Sequence, residues 1–330
     1  MKILYIYRHP DMGFSIGKVF RSIENEMKKH AEVDSIYLPV SNYSLKGLWN
    51  NIRYTRRYCK KKKYDIVHIT GAEHYLLPFL KTENTVLTVH DLGFFVNNNK
   101  LSLKKWIKYF IFIKTLPLAS HLTFISAKSK NEALRFVRLK DDRYSVIFNP
   151  VGTEFVASPK TINKNCPIIL HIGTGSNKNI ETTVIALKDF PCKVIIVGKL
   201  SEGQKFVLNL YHIDYECMHN LTDNEILNLY KTCDVVNFPS LYEGFGMPII
   251  EGQSIGRPVV TSNLSPVKEV AGNGAMLINP TCPDSIRRGY RLLLENSDVY
   301  IEKGLENVKR FALTQITQQY FDVYNKIINK

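Results

Sequence analysis

No stretch of this 330-residue sequence approaches the roughly 20 consecutive apolar residues that a membrane-spanning helix needs. The apolar segment at the N-terminus is also too short for a secretory signal, and Met1 to Tyr7 reads as a first strand instead. Cysteine is sparse: the six at 59, 166, 192, 217, 233 and 282 form no C-x-x-C pair and no Cys/His cluster. They suggest neither a zinc site nor a disulfide framework, and a reducing cytosol is the natural compartment. The dinucleotide pattern G-x-G-x-x-G is missing, which weakens a nicotinamide-dependent dehydrogenase reading. Repeats and low-complexity tracts are missing too.

Acidic residues are scarce in one half of the chain only. The net charge is +14, and residues 1–150 hold 26 Lys+Arg against 12 Asp+Glu, whereas residues 151–330 hold 18 against 18. Lys46 to Tyr64 contains eight basic residues and no acid, interleaved with Trp49, Tyr54, Tyr58 and Tyr64. Lys100 to Leu118 repeats the theme with five lysines among Trp106, Tyr109, Phe110 and Phe112. Two readings fit these stretches. They suit an anionic membrane surface, where lysines meet head groups and aromatics sit at the interface. They equally suit amphipathic helices with aromatics in the core and lysines in water; nucleic-acid phosphates fit less well, and no nucleic-acid partner is expected.

Short β-branched and aromatic runs alternate with helical patterns almost from end to end, so parallel sheets flanked by helices are expected. In the first half the strand candidates are Ile3–Tyr7, Ser35–Leu38, Ile66–Ile69, Thr85–Val89, Leu122–Ile125 and Ser145–Ile147. A matching series follows: Ile168–Ile172, Lys193–Val197, Tyr215–Met218, Val235–Phe238, Val259–Thr261 and Met276–Ile278. The length suits two domains of about 150 residues each. The turn Phe148-Asn149-Pro150-Val151-Gly152 divides them, into 1–150 and 151–313, and Thr153 to Cys166 is polar and unpatterned like a loop. Asp298 to Arg310 and Thr314 to Asn329 read as helices.

The densest motif is Pro239-Ser240-Leu241-Tyr242-Glu243-Gly244-Phe245-Gly246-Met247-Pro248-Ile249-Ile250-Glu251. Asp234 to Phe238 forms a strand that Pro239 ends by removing a ladder donor. Gly244 and Gly246 allow positive φ or a close backbone approach, and Pro248 suits the first turn of a helix. A helix N-terminus favours an anion such as phosphate, whereas ionised carboxylates only accept hydrogen bonds. A ligand with both phosphate and hydroxyl groups reconciles the two, which describes a nucleotide sugar.

Glu243 and Glu251, separated by seven residues in a P-S-L-Y-E-G-F-G-M-P context, resemble the signature of the retaining GT-B glycosyltransferases of family 4, and of their bacterial polysaccharide mannosyltransferases. The resemblance implies an α/β fold of two Rossmann-like domains facing across a cleft. The first, residues 1–150, would bind the acceptor, with a terminal helix near 314–330 crossing back onto it; the second, residues 151–313, would bind the donor. It further implies that Glu243 meets hydroxyls of the transferred sugar, that Glu251 binds the ribose diol, and that Gly244, Phe245, Gly246 and Met247 turn backbone N–H groups towards sugar and phosphates.

Three other segments extend the match. Gly13, in the glycine-containing loop after the first strand, corresponds to the family's approach to the donor diphosphate. In His171-Ile172-Gly173-Thr174-Gly175-Ser176-Asn177-Lys178, Lys178 matches the cation that meets charge developing on the leaving phosphate, with Gly173, Thr174 and Asn177 beside it. Thr174 and Asn177 stand where many members carry further bases, so more weight falls on Lys178. His90, at the end of a first-domain strand, corresponds to a histidine that contacts the donor sugar; Asp91 either orients it or caps the next turn, and His171 reads as a satisfied core residue.

The expected function is retaining transfer of a sugar from a nucleotide-diphosphate sugar to a hydroxyl of a glycan or lipid-linked acceptor, as in capsule, O-antigen or exopolysaccharide synthesis. The catalytic candidates are Glu243, His90 and Lys178. No cofactor is expected beyond the donor itself, with GDP-mannose preferred over UDP-sugars. No D-x-D motif occurs and Asp141-Asp142 reads as a solvated turn, so no metal ligands are assigned. The protein is expected in the cytoplasm, peripheral on the inner face of the membrane. The alternatives are another GT-B enzyme, such as a sugar-nucleotide epimerase or a phosphorylase, and a non-enzymatic basic scaffold.

Overall fold

A computed structural model describes residues 1–12, 15–81, 83–93 and 103–329. Gly13, singled out above, lies outside them, as does part of the second basic-aromatic stretch. The chain divides into two units, Met1–Pro150 together with the terminal helix Leu313–Ile328, and Val151–Ala312.

The first unit holds a parallel sheet of β1 (Lys2–Tyr7), β2 (Glu32–Tyr37), β3 (Ile66–Ile69), β4 (Thr85–Val89), β5 (His121–Phe124) and β6 (Tyr144–Val146), in the order β2-β1-β3-β4-β5-β6. β3 and β4 are buried at every position, because helices cover both faces and alternation would leave polar side chains in the core. On one face Leu4, Ile6, Val67 and Leu87 pack with Ile52 and Cys59 of the helix Leu45–Lys61. On the other, Tyr5 and Ile66 meet Phe20 and Ile23 of the helix Ser15–Met27 and Ile316, Tyr320 and Tyr324 of the terminal helix.

That terminal helix is fixed by polar bonds as well as by packing. The Tyr324 hydroxyl lies 2.6 Å from His68 Nδ1 and 3.1 Å from the Tyr5 hydroxyl, and His68 Nε2 lies 2.8 Å from Thr88 Oγ1. Burial lowers the pKa of His68 to about 3, so the imidazole at the centre of this network is neutral.

The second unit holds β7 (Ile168–Ile172), β8 (Lys193–Val197), β9 (Asp214–Met218), β10 (Val235–Phe238), β11 (Val259–Ser262) and β12 (Ala275–Ile278), in the order β12-β11-β10-β7-β8-β9. Every strand window read from the sequence is occupied, with ends shifted by a few residues at most. Thr153 to Cys166 contains no regular element but is stapled to its own unit. The buried Asp234 carboxylate accepts from Lys160 Nζ at 2.6 Å, from the Ile168 amide at 2.8 Å and from the Asn163 amide at 3.0 Å. Arg257, also buried, donates to the carbonyls of Ser158 and Lys231.

Candidate active site

Counted from its first strand, the second sheet has the order 3-2-1-4-5-6, and its direction of growth reverses between β7 and β10. Connections leaving the carboxyl ends of those two strands diverge, and the crevice between them is where open parallel sheets bind ligands. The residues after β7 are Gly173 to Lys178, and those after β10 are Pro239 to Gly246. Topology thus brings together the two motifs singled out in the sequence.

Side chains then lock the two loops to each other. Asn177 donates from Nδ2 to the Tyr242 carbonyl at 2.9 Å and to Glu243 Oε1 at 3.2 Å, while its own carbonyl accepts from the Leu241 amide at 2.8 Å. Asn179, in the left-handed region at φ 63°, donates to the carbonyls of Pro280 and Pro239. Lys178 Nζ lies 2.5 Å from Glu243 Oε1 and 4.7 Å from the centroid of the Phe238 ring. Both side chains are mostly sheltered, with 22% of the lysine and 15% of the glutamate exposed.

Gly173 is required where it stands. Its φ is +95°, and a Cβ there would come within 2.9 Å of Lys178 Cε, so the lysine stem lies across the glycine. Thr174 donates its hydroxyl to the Lys199 carbonyl at 2.9 Å, which leaves the oxygen able to accept only.

After β10 the chain turns at Gly246, φ +121°, into the helix Met247–Ile255, with Pro248 in its first turn. No side chain caps this N-terminus, whose dipole favours an anion, although Pro248 carries no amide hydrogen and the Ile249 amide donates to the Gly246 carbonyl at 3.1 Å. Gly244 is partly exposed on the same turn. Phe245 is buried, its ring edge-on to Phe311 at 5.9 Å, so only its backbone can serve a ligand. Glu251 Oε2 accepts from the buried Tyr230 hydroxyl at 2.6 Å. Burial and the adjacent Glu251 both raise the Tyr230 pKa, so the phenol stays protonated and orients the carboxylate.

His171 is buried in the core as expected, its Nδ1 2.9 Å from Asn237 Nδ2 and a backbone hydrogen bond with Gly173 acting on its ring. Burial first, and the charge of Lys178 second, lower its pKa to about 4, so a neutral ring lies beneath the lysine.

On the first unit, His90 follows β4, and Asp91 caps the turn by accepting from the Gly93 amide at 2.9 Å, which decides between the two roles left open for it. His90 Nε2 lies 2.8 Å from the Thr70 carbonyl and its own carbonyl accepts from Ser129 Oγ at 2.8 Å. Burial, with a smaller contribution from the charge of Arg8, lowers its pKa to about 4.

Comparison with known proteins gives this geometry its family. The model described as "Glycosyl transferases group 1" matches residues 153–310, and the one described as "Glycosyltransferase Family 4" matches residues 19–155. An O-antigen chain mannosyltransferase B of Escherichia coli is 32% identical over 287 residues, 78% of this chain and 74% of the relative. The chain belongs to the family 4 glycosyltransferases. The O-antigen chain mannosyltransferase RfbU of Salmonella typhimurium is 26% identical over 241 residues, 70% of this chain and 65% of that one. A sucrose-phosphate synthase structure from Thermosynechococcus elongatus superposes with a TM-score of 0.84 at 17% identity, covering 100% of this chain and 99% of that one. At that identity the likeness speaks for the fold, which is GT-B.

In this glycosyltransferase the second unit therefore assembles Gly173, Thr174, Asn177, Lys178, Glu243, Gly244, Gly246, Met247 and Glu251 at one switch point, while His90 belongs to the first unit. Tyr230, which sets the orientation of Glu251, escaped sequence reading. Within Asp223–Thr232 it looks like any buried helix residue, and only the fold shows that its hydroxyl reaches a motif 21 residues away.

Proposed function

We propose that the protein transfers a hexose, with retention of anomeric configuration, from a nucleotide-diphosphate sugar to a hydroxyl of a glycan or lipid-linked acceptor in polysaccharide assembly. The observation that carries this reading is the Lys178–Glu243 pair beside an uncapped helix N-terminus. The diphosphate occupies the helix end and draws Lys178 away from Glu243. Glu251, held by Tyr230, accepts from the ribose diol, and Glu243 accepts from hydroxyls of the sugar. As the glycosidic bond breaks, negative charge grows on the leaving phosphate, and a fixed cation beside it stabilises that charge more than it stabilises the ground state. The neutral His171 below does not compete for that charge.

GDP-mannose is the preferred donor, because relatives of this chain are named mannosyltransferases. UDP-sugars are the second choice, since another relative, from E. coli, is named a UDP-Gal-dependent galactosyltransferase, at 28% identity over 251 residues. Incubation with each donor and a set of alkyl glycosides, followed by NMR of the product, tests the reading. An α-linked product from an α-linked donor is expected, and an inverted product or free sugar alone would contradict it.

The basic first domain supports contact with an anionic membrane. Of the aromatics in its two basic stretches, Trp49, Trp106 and Phe110 are more than half exposed, and Leu45 at the start of the helix Leu45–Lys61 is 88% exposed. Amphipathic helices serving only the core would have turned these side chains inward. Among the described residues no helix is long and apolar enough to cross a membrane.

A further inference from the structure

His90 stands at the carboxyl end of β4, the side on which an open parallel sheet meets its ligands. Family resemblance gives it a contact with sugar but not the ring nitrogen that makes the contact, and the surroundings decide that. Nε2 lies 2.8 Å from the Thr70 carbonyl oxygen. A carbonyl only accepts, so this nitrogen carries the proton, and in a neutral imidazole the other nitrogen is then a bare acceptor. Burial holds the pKa at about 4, which keeps the ring neutral at pH 7. Among the described residues Nδ1 has no hydrogen-bond partner.

Three elements fix that presentation. Thr70, buried just after β3, is itself locked to β1, its amide and its Oγ1 both donating to the Ile6 carbonyl, at 3.1 and 3.0 Å. The carbonyl that takes the His90 proton is therefore held in place. Phe20, on the helix Ser15–Met27, meets the imidazole edge-on at 5.9 Å. Ser129, also buried, donates from Oγ to the His90 backbone carbonyl at 2.8 Å. Ser126, the N-cap of the helix Ala127–Leu134, accepts from the Ser129 amide at 3.2 Å, and the two hydroxyls lie 3.0 Å apart. An alanine at 129 would suit the helix better, so the buried hydroxyl is accounted for by the carbonyl it reaches.

We propose that Ser129 and Thr70 are positioning residues that hold His90 as its Nε2–H tautomer, so that Nδ1 accepts a hydrogen bond from a hydroxyl of a sugar substrate. The assignment rests on the glycosyltransferase reading above, and the hydroxyl belongs either to the sugar transferred or to the glycoside that receives it. Held this way, His90 neither donates to a phosphate nor acts as a cation. A sugar without that hydroxyl leaves Nδ1 unpaired, which is how such a contact discriminates between substrates.

Nitrogen NMR of the full chain, isotope-labelled at histidine, reads the tautomer directly, with His90 assigned by the signals lost in His90→Gln. The Nε2–H form is expected, unchanged from pH 8 to pH 5. The ring faces Arg8 and Asp91 and the buried, neutral His68 and His74. An Nδ1–H tautomer, or His90 signals that titrate near the ordinary pH of about 6.5, overturns the proposal. Kinetics with GDP-mannose and alkyl glycosides test the acceptor nitrogen. Asparagine can place its carbonyl oxygen near Nδ1, whereas glutamine places its amide near Nε2, so His90→Asn should keep about fivefold more kcat/KM than His90→Gln. The difference should fall in the donor KM if the hydroxyl is on the transferred sugar, and in the glycoside KM if it is on the receiving one. Equal loss in both variants, or better retention by glutamine, overturns the proposal. Ser129→Ala should lose about fivefold in kcat/KM and broaden the Nε2 proton signal, with Ser129→Thr restoring both. Unaltered kinetics and an unaltered signal in Ser129→Ala would contradict its positioning role. A wild-type protein that shows the Nε2–H tautomer but transfers from no donor contradicts the glycosyltransferase reading instead.

Discussion

Lys178 and Glu243 stand 65 residues apart in sequence and 2.5 Å apart in space, one after β7 and the other after β10. The ion pair joins the two loops of the β7–β10 crevice, so donor binding in the proposed site would exchange partners at Lys178. That exchange makes the pair testable from both sides.

Lys178→Ala should lower kcat by about a hundredfold to a thousandfold, the usual effect of losing one group that meets developing charge. Donor affinity should fall less, because the helix dipole and Glu251 still serve the donor in the proposed site. Single-turnover kinetics with a labelled donor separates the two effects, and unchanged turnover would contradict a leaving-group role.

Gly173→Ala should damage the same step without touching a charged group. The new methyl meets Lys178 Cε at 2.9 Å and forces a side chain into φ +95°. A loss of about 1–3 kcal/mol in stability is expected from the backbone strain, together with a lower kcat from the displaced lysine. Urea unfolding and steady-state kinetics on the same preparation measure both.

Tyr230→Phe keeps the buried ring and removes the hydroxyl that donates to Glu251 at 2.6 Å. Nucleotide affinity should weaken about tenfold, the value of one hydrogen bond to a charged group, whereas kcat at saturating donor should hold. Equal affinity in titrations with the free nucleoside diphosphate would show that Glu251 does not need this orientation.

Acid should destabilise the fold earlier than its carboxylates alone require. Burial lowers His68 to about 3, and His74, His90 and His171 to about 4. Each takes up a proton near pH 6.5 when unfolded, so the unfolded chain binds more protons and stability falls as pH drops below about 6.5, at about 1.4 kcal/mol per pH unit for each group. Glu73 acts in the opposite sense between about pH 4.5 and 7, since its pKa is raised on folding. Four groups outweigh one. Melting temperatures should therefore decline from pH 6.5 to 4.5, and a flat profile there would show that the imidazoles are protonated in the fold.

Flotation with liposomes tests the membrane face. Recovery with anionic vesicles at low salt should exceed that with neutral ones, and replacing Trp49 and Trp106 by alanine should reduce it. Equal recovery with both vesicle types would leave the exposed aromatics without this role.

Much of the fold was legible because a two-sided parallel sheet leaves a plain trace: the buried runs Ile66–Ile69, Thr85–Val89 and Val235–Phe238 carry β-branched and aromatic residues between turns. The helix after Gly246 was legible from glycine and proline placement alone. Partnerships across long sequence separation left no such trace. Lys178 and Glu243 were each singled out, but not as a pair, since strand order decides which loops meet. Tyr230 under Glu251 and Asp234 holding the Thr153–Cys166 loop are set by packing, which the local pattern around each residue does not encode.

Isothermal titration of the full chain with UDP-, GDP- and dTDP-sugars bears on the whole account, run alongside Glu251→Ala. One nucleotide sugar, GDP-mannose first among them, is expected to bind at one site per chain, with affinity lost in the variant. Absence of heat with every donor, or binding that Glu251→Ala leaves unchanged, would contradict a donor site at the β7–β10 switch point.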